Sequence, residues 1–173
     1  MGCASRQARR AAEEAEILAL ATADPFAIVD QIELYDGDLR YLDLRRCGVV
    51  FLRLQERTAL QKQAEQAIEA ERTRLRQTED SLTRAMGRVN RLDSVEVNRY
   101  SAAVALHDAN VASANRALER LNADRDQATA LVDRALPRCV GRPVKNGHLS
   151  RLPKEEREAI EPFIVTNVRG VRP

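Results

Sequence analysis

The chain has no tryptophan, and aromatic residues make up only 3% of its 173 positions. A broad compact core usually draws on aromatic area. Its near absence, with 31% charged and 44% hydrophobic residues, is the composition of long, thin helices with narrow seams. Charge of one sign is lacking too: 28 basic residues face 26 acidic ones. No net field therefore draws the chain to nucleic acid or to an acidic membrane surface. Lysine is scarce, at Lys62, Lys145 and Lys154 alone, and the arginine bias fits a GC-rich coding genome. No run approaches the ~18 to 20 apolar residues that span a bilayer as a helix. The most hydrophobic short run, Val49-Val50-Phe51-Leu52, is bracketed by Arg45, Arg46 and Arg53, so it belongs to a soluble core or an interface. A secretory hydrophobic segment is also missing, so export would be directed by residues outside this sequence.

Chemistry-bearing motifs are equally sparse. No nucleophile motif, phosphate-cradling glycine loop or dinucleotide fingerprint appears. Two histidines and three separated cysteines give no metal-ligand spacing, and Asp36-Gly37-Asp38 lacks the other ligands of a calcium loop and reads as a turn. The expectation is a chain without catalytic site, metal or cofactor. His107 falls on a helical seam near Glu79, where a histidine typically sets register and hydrogen-bonds a carboxylate. His148 has no evident partner.

What is present is helical periodicity, punctuated by the few glycines and prolines. Residues 4 to 22 carry Ala8, Ala11, Ala12, Ala15, Leu18 and Ala19 at three- or four-residue spacing, an alanine face that buries little by itself. Asp24-Pro25 is an N-cap followed by proline at the first helical position, starting a short helix to about Tyr35 that buries Ile28, Val29, Ile32 and Tyr35. Asp38 can cap a long helix through Leu39, Leu42 and Leu44 to about Arg91, with a kink at Gly48. Asn90 to Ser94 is a turn, and Asp93 with Glu96 makes a capping-box-like restart. The return helix ends near Leu136, before Pro137. Beyond it come a glycine-containing loop, a short charged helix from Pro153 to Ile160, and a strand-like run from Phe163 to Val168 that packs on the helices or adds to a partner's sheet edge.

The two long helices mirror one another. Steps of seven from Cys47 give Leu54, Gln61, Ile68, Leu75, Leu82 and Val89; steps of seven back from Cys139 give Val132, Arg125, Leu118, Val111, Val104 and Val97. The series reflect about residue 93. The reading is all-α: a long antiparallel helical hairpin, coiled-coil in type, over residues 38–139, with short flanking helices at 1–37 and an irregular tail at 140–173. Core layers pair Leu92 with Val97, Val89 with Tyr100, Leu82 with His107, Ile68 with Leu121 and Leu54 with Ala135, often large against small. Gln61, Arg125, Glu71 and Arg57 put polar groups into the seam.

The mirror brings Cys47 and Cys139 to one end of the hairpin. Their Cα atoms must come within roughly 7 Å for a disulfide, and the chain-entropy model gives such a bridge about 4 to 5 kcal/mol. The alternative is two buried thiols in a reducing cytosol.

The N-terminal Gly2-Cys3-Ala4-Ser5 resembles the junction of bacterial lipoproteins, where a Gly-Cys step is cleaved and the cysteine lipidated. The resemblance implies that Cys3 is the acylated residue and that the chain is a mature form with residues added or a signal lost. The eukaryotic pattern, myristate on Gly2 with palmitate on Cys3, calls for Ser or Thr at position 6, where Arg6 stands. Lipidated Cys3 and a Cys47 to Cys139 bridge would both place the chain outside the cytosol. The expected function is thus a non-enzymatic structural or adaptor protein on the periplasmic face of a bacterial outer membrane. It would be lipid-anchored and would engage a protein partner through Leu92 at the hairpin tip or through Phe163 and Val165 in the tail. The alternative is a cytoplasmic coiled-coil scaffold with reduced cysteines.

Overall fold

The computed structural model describes the backbone of residues 2–20, 22–34 and 37–166. In order, the elements are α1 (Gly2–Leu20), α2 (Pro25–Asp30), α3 (Tyr41–Met86), α4 (Ser94–Cys139), β1 (Pro143–Val144), α5 (Asn146–Leu149), α6 (Lys154–Ile160), a 3-10 turn (Glu161–Phe163) and β2 (Val165–Thr166). The fold is all-α, and its main feature is the antiparallel hairpin of α3 and α4. Each of these two helices is 46 residues long. Neither carries a proline before its last turn, so the backbone ladder runs without a missing donor.

The chain divides into two compact units. A clamp unit comprises Met1–Thr58 and Gln127–Pro173, and a hairpin unit comprises Ala59–Asp126. The clamp unit holds a true core. Ile28, Val29, Leu39, Leu44, Cys47, Val50, Leu131, Ala135, Cys139, Val144 and Ile160 are all fully or almost fully buried, each larger side chain contributing about 1.5 to 3 kcal/mol by its removal from water. The apolar run Val49 to Leu52 lies in this core, with Val50 at 0% exposure.

Several boundaries differ from expectation for identifiable reasons. The long helix starts at Tyr41, after Leu39. Leu39 donates its N–H to the Pro143 carbonyl at 2.9 Å, so this residue is committed to the loop beyond α4. Gly48 makes no break in α3; it is a point of close approach, where a Cβ would stand 2.9 Å from the Glu156 Cβ. At the far end, α4 carries Pro137 inside its final turn and continues to Cys139. Proline removes one N–H there, but Val140 still donates to the Leu136 carbonyl at 3.0 Å. Termination falls to Gly141, whose φ of +71° is a left-handed conformation that glycine adopts without strain.

Helix α2 ends at Asp30, with Gln31 as its C-cap, although Ile32 is buried as expected; Tyr35 lies outside the described residues. Asp24 caps α2 by accepting from the Phe26 N–H at 3.1 Å. Helix α1 does not dock through its alanine face. Ala8, Ala11, Ala12, Ala15 and Ala19 are exposed and Leu18 is 77% exposed, while Leu20 is buried. The small alanine side chains offer too little area, so Leu20 and the ion-pairing Glu16 set the docked face.

The tail is more ordered than an irregular segment. Val165 and Thr166 pair in parallel with Pro143 and Val144, and Gly141 donates to the Phe163 carbonyl at 2.8 Å. The strand-like run therefore finds its partner within the chain, in a two-residue segment too short for periodicity to reveal. Residues 167–168 of that run lie outside the described residues.

Candidate functional site at the cystine clamp and the hairpin tip

Cys47 on α3 and Cys139 on α4 are joined by a disulfide, with Cα atoms 5.8 Å apart and a sequence separation of 92 residues. Both are fully buried, amid the core that contains Val50, Leu131 and Ala135.

Around the bridge, arginines tie the irregular segments to the helices. Arg53 donates to the carbonyls of Ala23, in the loop before α2, and, at 2.8 Å, Leu20, the latter a carbonyl at the end of α1 that has no intrahelical partner. Arg46 pairs with Glu16 of α1 and with Asp43 at 2.8 Å. Arg142 is buried and donates to the carbonyls of Glu33 at 2.9 Å and Gly37 at 3.3 Å. The roles of Arg53 and Arg142 were not apparent in the sequence, because each spans a large separation and uses backbone carbonyls, which leave no residue signature.

Glu156 of α6 lies over Gly48 and pairs with Arg45. The Arg45 Nη2 donates to Oε1 at 2.9 Å, while Nε stands 2.7 Å from Oε2 without its N–H aimed there, so both atoms lack a hydrogen bond. Burial raises the Glu156 pKa above the ordinary glutamate range, and the Arg45 charge and hydrogen bond only partly oppose the rise. The pair fixes α6 on α3 at the position where glycine permits contact. His148 presents its ring edge to Tyr41 at 6.0 Å, and Arg151 stacks on Tyr41 at 4.2 Å.

In the hairpin unit, polar residues of the seam cross-link the helices. Gln61 donates to Asp124 at 2.6 Å and Arg125 pairs with Glu65 at 2.8 Å. Glu71 turns instead to Arg74 on its own helix, accepting at 2.8 and 2.6 Å; this hydrogen bond is the main cause of its lowered pKa. His107 shares a cleft with Leu75, Glu79 and Val111, but its Nδ1 has no hydrogen-bond partner. The expected bond to a carboxylate is not formed.

At the turn, Asp93 accepts from the N–H groups of Val95 at 2.8 Å and Glu96 at 3.3 Å. Glu96 accepts from the Asn90 N–H at 2.9 Å, so the capping arrangement reaches three residues further back than a standard box. Leu92 is 96% exposed, and Met86 and Val95 are 59% and 63% exposed. A groove of about 530 Å³ beside them is lined by residues including Leu82, Val89, Tyr100 and Ala103, with Arg88 and Arg99.

The remaining sequence candidates are placed as follows. Cys3 falls in α1, its side chain outside the described residues. Phe163 stacks on Phe51 with ring centroids 4.6 Å apart and retains 38% exposure. Val165 uses its backbone in the pairing with Pro143. Among the described residues, no group of three or more His, Cys, Asp or Glu could hold a metal ion, and no helix is long and apolar enough to cross a membrane. Comparison with family models, curated proteins and solved structures finds no match for the chain.

Proposed function

We propose that the chain is a non-enzymatic adaptor of the bacterial cell envelope, anchored by lipid on Cys3 at the periplasmic face of the outer membrane, whose hairpin engages a protein partner. The observation that carries this reading is the buried Cys47–Cys139 disulfide. Such crosslinks form and persist in oxidising compartments and are rare in the cytosol. The Gly2-Cys3-Ala4-Ser5 junction supports the anchor. A lipid there would be coupled to the rest of the clamp unit through α1, whose last carbonyl, that of Leu20, Arg53 holds. Presentation of a partner-binding surface is supported by the fully exposed Leu92 in the turn.

Intact mass of native material under non-reducing conditions tests the reading. The expected mass lies two hydrogens below the reduced value, returns to it on adding reductant, and carries acyl chains on the N-terminal peptide. Free thiols at both Cys47 and Cys139 in native material would overturn it and leave the cytoplasmic coiled-coil scaffold.

A further inference from the structure

The turn of the hairpin combines three features. Apolar residues line a groove, large apolar side chains stand exposed beside it, and its charge is unbalanced. Residues 81–103 contain Arg84, Arg88, Arg91 and Arg99 but only two carboxylates, Asp93 and Glu96. Both carboxylates are engaged by backbone N–H groups, Asp93 as the cap of α4 and Glu96 at Asn90. Among the described residues, Arg88, Arg91 and Arg99 form no ion pair; elsewhere in the unit Arg72, Arg74 and Arg125 pair with Glu69, Glu71 and Glu65, while Arg76, Arg116 and Arg120 do not pair. Apolar surface with Tyr, Met and unpaired Arg is the composition that concentrates binding energy at protein interfaces.

We propose that this groove is the docking site for an acidic amphipathic segment of a partner protein. The segment's apolar face covers Leu82, Val89 and Ala103, and its carboxylates meet Arg88 and Arg99. A concave site of this size fits a helix or extended peptide laid along α3 and α4. The unpaired guanidiniums supply bidentate recognition of carboxylates. This inference deepens the adaptor reading and rests on it for its biological setting. The thiol mass tests the compartment and the measurement below tests the groove, so either can fail alone.

The test uses the full oxidised chain and a short synthetic helical peptide with leucine on one face and glutamate on the flanks. The expected result is saturable binding with NMR perturbations at the Leu82, Val89 and Ala103 methyls, weakened by added salt. The double variant Arg88→Glu/Arg99→Glu, shown folded by circular dichroism, should lose affinity by about tenfold or more and instead bind the same peptide with lysine flanks. Ala103→Gln, which fills the groove and leaves the charge alone, should also weaken binding. No binding, perturbations mapping elsewhere, or equal affinity for the charge-reversed variant overturns the proposal. Adsorption to phosphatidylglycerol vesicles without peptide binding overturns it in favour of a lipid surface, and self-association through the same methyls in favour of a second copy.

Discussion

The two units are built from the same pair of helices and are held in opposite ways. In the clamp unit, α3 and α4 are surrounded by α2, α6 and the loops, and Leu44, Cys47, Val50, Ala135 and Cys139 reach 0% exposure. Among the described residues of the hairpin unit, the same helices have only each other. There Leu75 and Leu121 fall below 10% exposure, and Ile68, Leu82, Val104 and Val111 are half-buried. A two-helix seam covers one stripe of each helix, so heptad positions that make a core in one unit make only a partly wetted contact in the other. Cooperative stability therefore resides in the clamp unit, while the hairpin unit draws on helix length, caps and cross-seam polar pairs. Amide hydrogen exchange should show the contrast directly, with slower exchange at Val50 and Leu131 than at Leu82 and Val104.

The strongest way to break the contrast is to open the bridge. Cys47→Ser should cost about 4 kcal/mol under oxidising conditions by the chain-entropy estimate and far less relative to the reduced wild type. Equal melting shifts in the two conditions would argue that the bridge does not constrain the chain. Next in size, Leu44→Ala in the clamp core should cost about 2 to 5 kcal/mol by chemical denaturation. Leu60→Ala, at a position 65% exposed in the hairpin unit, should stay within about 0.5 kcal/mol. Similar costs would mean that the two units share stability evenly.

The Arg45–Glu156 pair sharpens the comparison further. Arg45→Met should cost about 3 kcal/mol by stranding a buried carboxylate, whereas Arg45→Met/Glu156→Leu should recover most of it. A double variant as unstable as the single one would show the charges to be stabilising in their own right. The pH dependence has a definite sign. Because burial raises the Glu156 pKa, the folded state takes up this proton more readily than the unfolded one. The group's contribution to stability is full below the ordinary glutamate value and is lost as pH rises through the raised one. The stability of wild type relative to Glu156→Gln should therefore fall with rising pH across that window, and a flat or rising difference would contradict the assignment. A smaller effect than at Arg45 is expected at Asp93→Ala, about 1 kcal/mol from loss of the α4 cap, with faster exchange around Val95 and Glu96 and no change at Val50.

How much of this could be read beforehand depended on the range of the interaction. The mirror of heptads about residue 93 made the hairpin and the cysteine pairing legible, because an antiparallel fold converts sequence symmetry into proximity. Asp24 and Asp93 were legible as caps because a cap acts within three residues. The docked face of α1 was not legible: the alanine stripe has the helical period and buries little, and Leu20 and Glu16 have the partners. Gly48 looked like a kink because close approach to Glu156 depends on a helix 108 positions away in the chain. Pro137 looked like a stop because local propensity cannot register a last turn held by a disulfide and continued by Val140. The carbonyls bound by Arg53 and Arg142 carry no residue signature at all; Leu92 marked the turn in the sequence, but the engagement of Asp93 and Glu96 by backbone amides did not show there.

The covalent bond between Cys47 and Cys139 also has a mechanical meaning. Tension applied between Cys3 and the C-terminal tail enters at residue 47 and leaves at residue 139 through the bridge itself. Residues 48 to 138 carry no load, so the hairpin cannot be unzipped by its own ends. A single proteolytic cut in the turn likewise leaves one covalent molecule. A chain closed in this way can be pulled or nicked and still keep both helices joined until a reductant reaches a bond enclosed at 0% exposure.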